Sequence, residues 1–124
     1  MIKVIQAVNT SEYDVINGCS CIEYWTKNIS GRDSSTCRAT GRQETLNDSI
    51  VGGHVIGIIN NTPHVYIVPI LNSVNVSEDP MTFDVDESDL VQVPFHDEQI
   101  ILNDPQNRIR KKMLNARRMK DLMK

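Results

Sequence analysis

Ile50-Val51-Gly52-Gly53-His54-Val55-Ile56-Gly57-Ile58-Ile59, then Asn60-Asn61-Thr62-Pro63, then His64-Val65-Tyr66-Ile67-Val68-Pro69-Ile70, form two apolar, β-branched runs joined by turn residues in the middle of the chain. β-Branched side chains fit a pleated, half-buried surface, and asparagine tolerates the backbone of a tight turn. The stretch therefore predicts a central β-hairpin over residues 50–70. Around it, residues 2–8 form a short β-branched run that reads as a strand, and further short strands are expected at 81–85, 90–93 and 99–102. Residues 22–28, which carry Trp25, read as a short helix or turn, and 71–76 as a turn or short helix that Pro80 must stop. The expected fold class is α+β: a small, mainly β domain built on the hairpin, with a basic C-terminal helix.

The length, 124 residues, allows one hydrophobic core and scarcely two. Hydrophobic residues make up 40% and aromatics only 5%, so the core must rest on Ile, Val, Leu and Met. No run approaches the ~20 apolar residues of a membrane span, and the first ten residues lack the basic-then-apolar pattern of a signal peptide. A cytoplasmic protein with no membrane partner is expected. Residues 30–47 are rich in Ser, Thr, Gly, Arg and Asp and read as a long loop; a loop of that length needs an anchor, and Cys37 lies near its middle. Cys19, Cys21 and Cys37 are the only cysteines, and an odd number in a reducing compartment argues against a disulfide framework. Metal binding or simple burial are the remaining roles.

Charge is divided along the chain. Residues 105–124 hold eight basic residues against Asp121, a net of +7, whereas residues 1–104 carry −10. Between Glu78 and Glu98 there are eight acidic residues and no basic one, which suggests a solvated acidic surface or a docking face for the chain's own tail. Asp104 can cap a helix and Pro105 suits its first position, with Ile109, Met113, Ala116 and Met123 recurring on one side. The division thus predicts a globular domain over 1–103 and an amphipathic basic helix over 104–124. Arg108, Arg110, Lys111, Lys112, Arg117, Arg118 and Lys120 are its candidate contacts to nucleic acid or to an acidic partner surface.

His54 follows a double glycine, and a histidine on a hairpin strand can serve as general base or metal ligand. The ordered pattern Cys19-Ser20-Cys21, Tyr24-Trp25, Gly31, Cys37, Gly41, Val51-Gly52-Gly53-His54-Val55 and Tyr66-Ile67-Val68-Pro69, ending in Asn75, resembles small bacterial and phage proteins related to the HNH, or His-Me finger, nucleases. The resemblance spans about half of the chain. It implies a β-hairpin and helix holding one catalytic Mg²⁺ or Mn²⁺, with His54 as the water-activating base and Asn75 as the residue that orders the loop. Such relatives also brace the fold with zinc on paired cysteines. Here Leu71 and Val74 stand at the pair after the second strand, and Arg42 where a cysteine would follow Cys37. Cys19, Cys21 and Cys37 remain as candidate ligands for a structural zinc, with His64 or His96 as a fourth. No third metal-binding histidine follows Asn75, although Asp84 or Asp86 can substitute.

The missing ligands, the acidic body and the segregated basic helix favour a non-catalytic, phage- or bacteria-encoded interaction protein that binds a host protein or nucleic acid. A divalent-metal-dependent HNH-type endonuclease is the alternative, favoured by the setting of His54. A virion or assembly component is a third reading.

Overall fold

The computed structural model describes residues 1–77 and 79–123. Its centre is the expected hairpin. Strands β4 (Ile50–Ile59) and β5 (Thr62–Leu71) pair antiparallel over their whole lengths, from Ile50 opposite Leu71 to Ile59 opposite Thr62. The connection is tighter than the four turn residues of the sequence suggest. Only Asn60 and Asn61 form it, both with positive φ (52° and 62°), and Thr62 and Pro63 already belong to β5. Two left-handed residues make the primed turn whose twist matches that of the flanking strands.

Strand β1 (Ile2–Gln6) lies beside β4. After β2 (Val15–Ile16) and β3 (Cys19–Ser20), which form a separate small ribbon, come helix α1 (Cys21–Asn28), β4 and β5, and the short helix α2 (Asn72–Asn75). Strands β6 (Thr82–Val85) and β7 (Val91–Gln92) close the two edges, giving an antiparallel sheet of order β6-β1-β4-β5-β7. Helices α3 (Phe95–Asn103) and α4 (Pro105–Leu122) complete the chain. The fold is therefore a small α+β domain.

Strand alternation divides the core into two layers. On one face, Val65 and Ile67 pack with Trp25 of α1 and Ile101 of α3, and Ile5 and Ile56 pack with Leu114 of α4. On the other, Val4, Val55, Val68, Ile70, Phe83 and Val85 pack with Cys37 of the long loop and Val74 of α2.

One expectation requires correction. Residues 99–102, expected as a strand, lie inside α3: only Ile101 of the run Ile100-Ile101-Leu102 turns fully to the core, while Ile100 is exposed, which is helical rather than alternating burial. In α4 the sequence leaves open which face packs: of Ile109, Met113, Ala116 and Met123, Met113 packs against the cluster around Leu114. Ile109 and Met123 are exposed, and the helix buries Asn107, Arg110 and Leu114. Asp104 and Pro105 do start this helix as expected, the Asp104 carboxylate accepting from the N–H groups of Gln106 and Asn107. The helix is also no loose appendage. The Asn107 amide accepts from the Val8 N–H (2.8 Å) and donates to the Val8 and Ile101 carbonyls, fastening α4 to the end of β1 and to α3.

The long loop is anchored by side chains. Asp89, almost fully buried, accepts from Arg32 and Arg38; Arg38 lies over the Trp25 ring, and the Trp25 indole donates to the Asp89 carbonyl. Four acidic residues of the run between Glu78 and Glu98 are engaged within the fold, Asp89 among them. Asp84 pairs with Lys3, Asp86 caps the turn at Ser88 and lies by Arg32, and buried Glu98 accepts from the Val65 N–H, Gln92 and His64. Glu78 and Lys124 lie outside the described residues.

Candidate functional site

The segment before α1 is built to bring its first residue onto β4. Ser20 caps the helix by accepting from the Glu23 N–H, and the Glu23 carboxylate accepts in return from the Ser20 N–H, which fixes Cys21 at the first helical position. The Cys21 N–H donates to the Asp14 carbonyl (3.2 Å), tying the loop ahead of β2 to the same point. On β4, a Cβ added at Gly52 would come within 2.6 Å of the Cys21 backbone. Only glycine permits this approach.

The consequence is a cluster that no spacing in the sequence announces. Cys21 Sγ lies 3.9 Å from His54 Nε2, and one ligand atom each of Asp14, Cys21 and His54 fall within 4.8 Å of one another. His54 is 4% exposed and Cys21 is buried, while Asp14 is open to solvent. The thiol lies 3.3 Å from the Tyr13 carbonyl, to which it donates. Burial pushes the Cys21 thiol up to about 12, with Asp14 and Asp97 adding to the rise. Burial also lowers the imidazole pKa of His54, against the opposing pull of Asp14, Asp97 and the Tyr13 carbonyl. Thiol and imidazole are therefore both neutral at pH 7. An activated cysteine nucleophile needs the opposite arrangement, a depressed thiol pKa beside a protonated base.

Asn75 stands elsewhere. Its Oδ1 would lie 3.2 Å from a Cβ on Gly53, on the sheet face opposite to the one His54 points to. The Asn75 side chain thus meets β4 at Gly53, one residue before His54 and on the other face of the strand. Asn75 and Asp14 both line a cleft of about 920 Å³ whose wall also includes Asn72, Gln106 and Arg110. Among the described residues that line it, His54 does not appear.

The three cysteines do not converge. Cys19 sits on β3 and receives a hydrogen bond from the Lys27 ammonium (2.9 Å), Cys21 faces His54, and Cys37 is buried in the other layer of the core. Burial pushes the Cys37 thiol up, but hydrogen bonds from the Thr40 side chain and from the backbone of Leu71, Thr40 and Ala39 outweigh it and bring the pKa below the usual thiol value. His64 is engaged with Glu98, and His96 is exposed on α3. Asp84 and Asp86, the carboxylates considered as metal ligands, are occupied by Lys3 and by Arg32 and Ser88. Asp14 was missed by sequence reasoning because a lone aspartate in a loop carries no motif.

The basic residues of α4 separate into two groups. Arg110 is buried and donates to the Gln6 carbonyl (3.0 Å), and Arg117 donates to the Thr82 hydroxyl. Lys111, Lys112 and Arg118, with Asn115, line a second cavity of about 360 Å³ together with Ile58, Asn61 and Pro63 at the hairpin tip. Arg108 and Lys120 are exposed along the same helix.

No helix is long and apolar enough to cross a membrane among the described residues. No family model, curated protein or solved structure matches the chain.

Proposed function

We propose that the chain is a non-catalytic relative of the HNH-type nucleases that binds a nucleic-acid backbone through the groove between α4 and the hairpin tip. The observation that carries the binding role is the lining of that groove. Lys111, Lys112 and Arg118 converge there with the amides of Asn61 and Asn115, and no acidic residue lines it among those described. Ammonium, guanidinium and amide donors around one depression suit phosphate oxygens, which such groups bind without regard to base sequence.

The lineage is supported by the order hairpin, short helix, terminal asparagine, in which Asn75 closes α2. A further support lies in the core. Cys37, Leu71 and Val74 pack in one buried cluster, and hydrogen bonds from the backbone of Leu71, Thr40 and Ala39 reach the Cys37 thiol. An apolar contact thus occupies the positions at which the resembled proteins carry zinc ligands. Loss of catalysis is supported by the sealed His54, which faces Cys21 rather than Asn75.

A second reading, docking to an acidic protein of a host, is favoured by Ile109, Met119, Leu122 and Met123, apolar side chains that α4 leaves exposed beside its cations. Both readings make binding salt-sensitive, and they differ in whether a DNA duplex is bound at all. Affinity of the full chain for a labelled DNA duplex is expected to fall steeply as salt rises, and Lys111→Ala with Lys112→Ala and Arg118→Ala is expected to flatten that dependence by about one log–log unit per cation removed. Unchanged duplex affinity in the triple variant, or a salt-independent affinity, would overturn the nucleic-acid reading.

A further inference from the structure

We infer that Asp14, Cys21 and His54 form a zinc site, independent of the groove on α4 and distinct from the three-cysteine set suggested by the sequence. The donor set is the first reason. Thiolate, imidazole and carboxylate are the three side-chain ligands that zinc accepts, and a site with three protein ligands leaves one position for water. Geometry is the second. Tetrahedral bonds of ordinary Zn–S and Zn–N length place the two ligand atoms about 3.6 Å apart, and Cys21 Sγ and His54 Nε2 stand 3.9 Å apart without an ion between them. The Asp14 carboxylate lies within 4.8 Å of both and belongs to an exposed side chain, whose rotation closes the remaining distance.

The charge balance is the third reason. Thiolate and carboxylate together offset the two positive charges of zinc, so the bound site is neutral where it is buried. The carboxylates that act on both Cys21 and His54 are those of Asp14 and Asp97, a setting favourable to a cation. Zinc binds imidazole and thiolate in their deprotonated forms, so the Cys21 thiol proton passes to solvent as the metal enters. Asp14 is the solvent-exposed member of the three and the side from which an ion can reach them.

The backbone is arranged to keep these donors in place before any metal arrives. The capping box fixes Cys21, the Cys21 N–H holds the Asp14 carbonyl, and Gly52 admits α1 to the surface of β4. Three ligands from a loop, a helix start and a strand thus meet at one point.

The test is titration of the full-length, metal-stripped protein with Zn²⁺ and, in parallel, Co²⁺. One equivalent of Co²⁺ is expected to give the intense visible bands of a four-coordinate ion and a sulfur-to-metal charge-transfer band, both bleached by Zn²⁺. Cys21→Ser and Asp14→Asn are expected to weaken zinc at least tenfold, whereas Cys19→Ser and Cys37→Ser retain it. If Cys21→Ser fails to fold, the exposed Asp14→Asn and the wild-type Co²⁺ spectrum still decide. No stoichiometric metal, a spectrum without sulfur ligation, or zinc lost in Cys19→Ser or Cys37→Ser but retained in Asp14→Asn would each overturn the assignment. Duplex binding by the groove is read separately, so failure here leaves the α4 reading to its own experiment.

Discussion

A side chain at Gly52 would drive its Cβ into the Cys21 backbone, and one at Gly53 would strike Ile70. The double glycine that looks in sequence like room for a ligand is therefore room for protein on both faces of one strand. Single residues elsewhere hold the loops. Asp33 organises the start of the long loop by accepting from the Ser35 hydroxyl and N–H and from the Thr36 hydroxyl. These bonds, the Ser35 hydroxyl foremost, hold its carboxyl at about 2, well under its ordinary 3.8. A folded-state pKa below the unfolded one means that the unfolded chain takes up the proton first as pH falls. The stabilisation from Asp33 is thus complete above pH 3.8 and is lost between there and about pH 2. An NMR titration of the Asp33 carboxyl is expected to show a midpoint near 2, and a midpoint near 3.8 would show that the turn is not formed in solution.

At the scale of elements, α4 shows how a helix that reads as a tail becomes part of a core. Leu114 is fully buried between Ile5 and Ile56, and Asn107 is buried at the junction of α4, β1 and α3. Truncating a buried leucine removes its transfer free energy and leaves a cavity, so Leu114→Ala is expected to cost about 2–5 kcal/mol in chemical denaturation. The largely exposed Ile109→Ala should change stability by less than about 0.5 kcal/mol, because little burial is lost. Equal, small losses at both positions would mean that the helix does not dock. The hairpin and the start of α4 were legible because β-branched runs, the turn residues between them and the Asp104-Pro105 pair are local signals. The packing face of α4 was not, because its buried positions include Asn107 and Arg110, polar side chains that reach main-chain carbonyls of Val8 and Gln6, about a hundred residues away in sequence. Residues 99–102 were misread for a related reason: an apolar triplet carries no period of its own, and the helix is decided by what Ile101 and Glu98 meet in the sheet.

At the scale of the whole molecule, charge is sorted by what the fold does with it. Acidic residues of the body are used as partners for Lys3, Arg32, Arg38 and His64, and the uncommitted cations gather on α4 and beside the hairpin tip. The candidate site divides in the same way. His54 was visible in the sequence from its glycine context, but its true neighbours, Cys21 and Asp14, are set by how α1 lies across β4, and that is a tertiary fact. Asn75 lies on the far face, so a base and its orienting asparagine are not assembled around one scissile phosphate. Incubating supercoiled plasmid with the purified chain and Mg²⁺ or Mn²⁺, alongside His54→Ala, measures this directly. The plasmid is expected to remain supercoiled with both proteins; nicking by the wild type that disappears in His54→Ala would contradict the account.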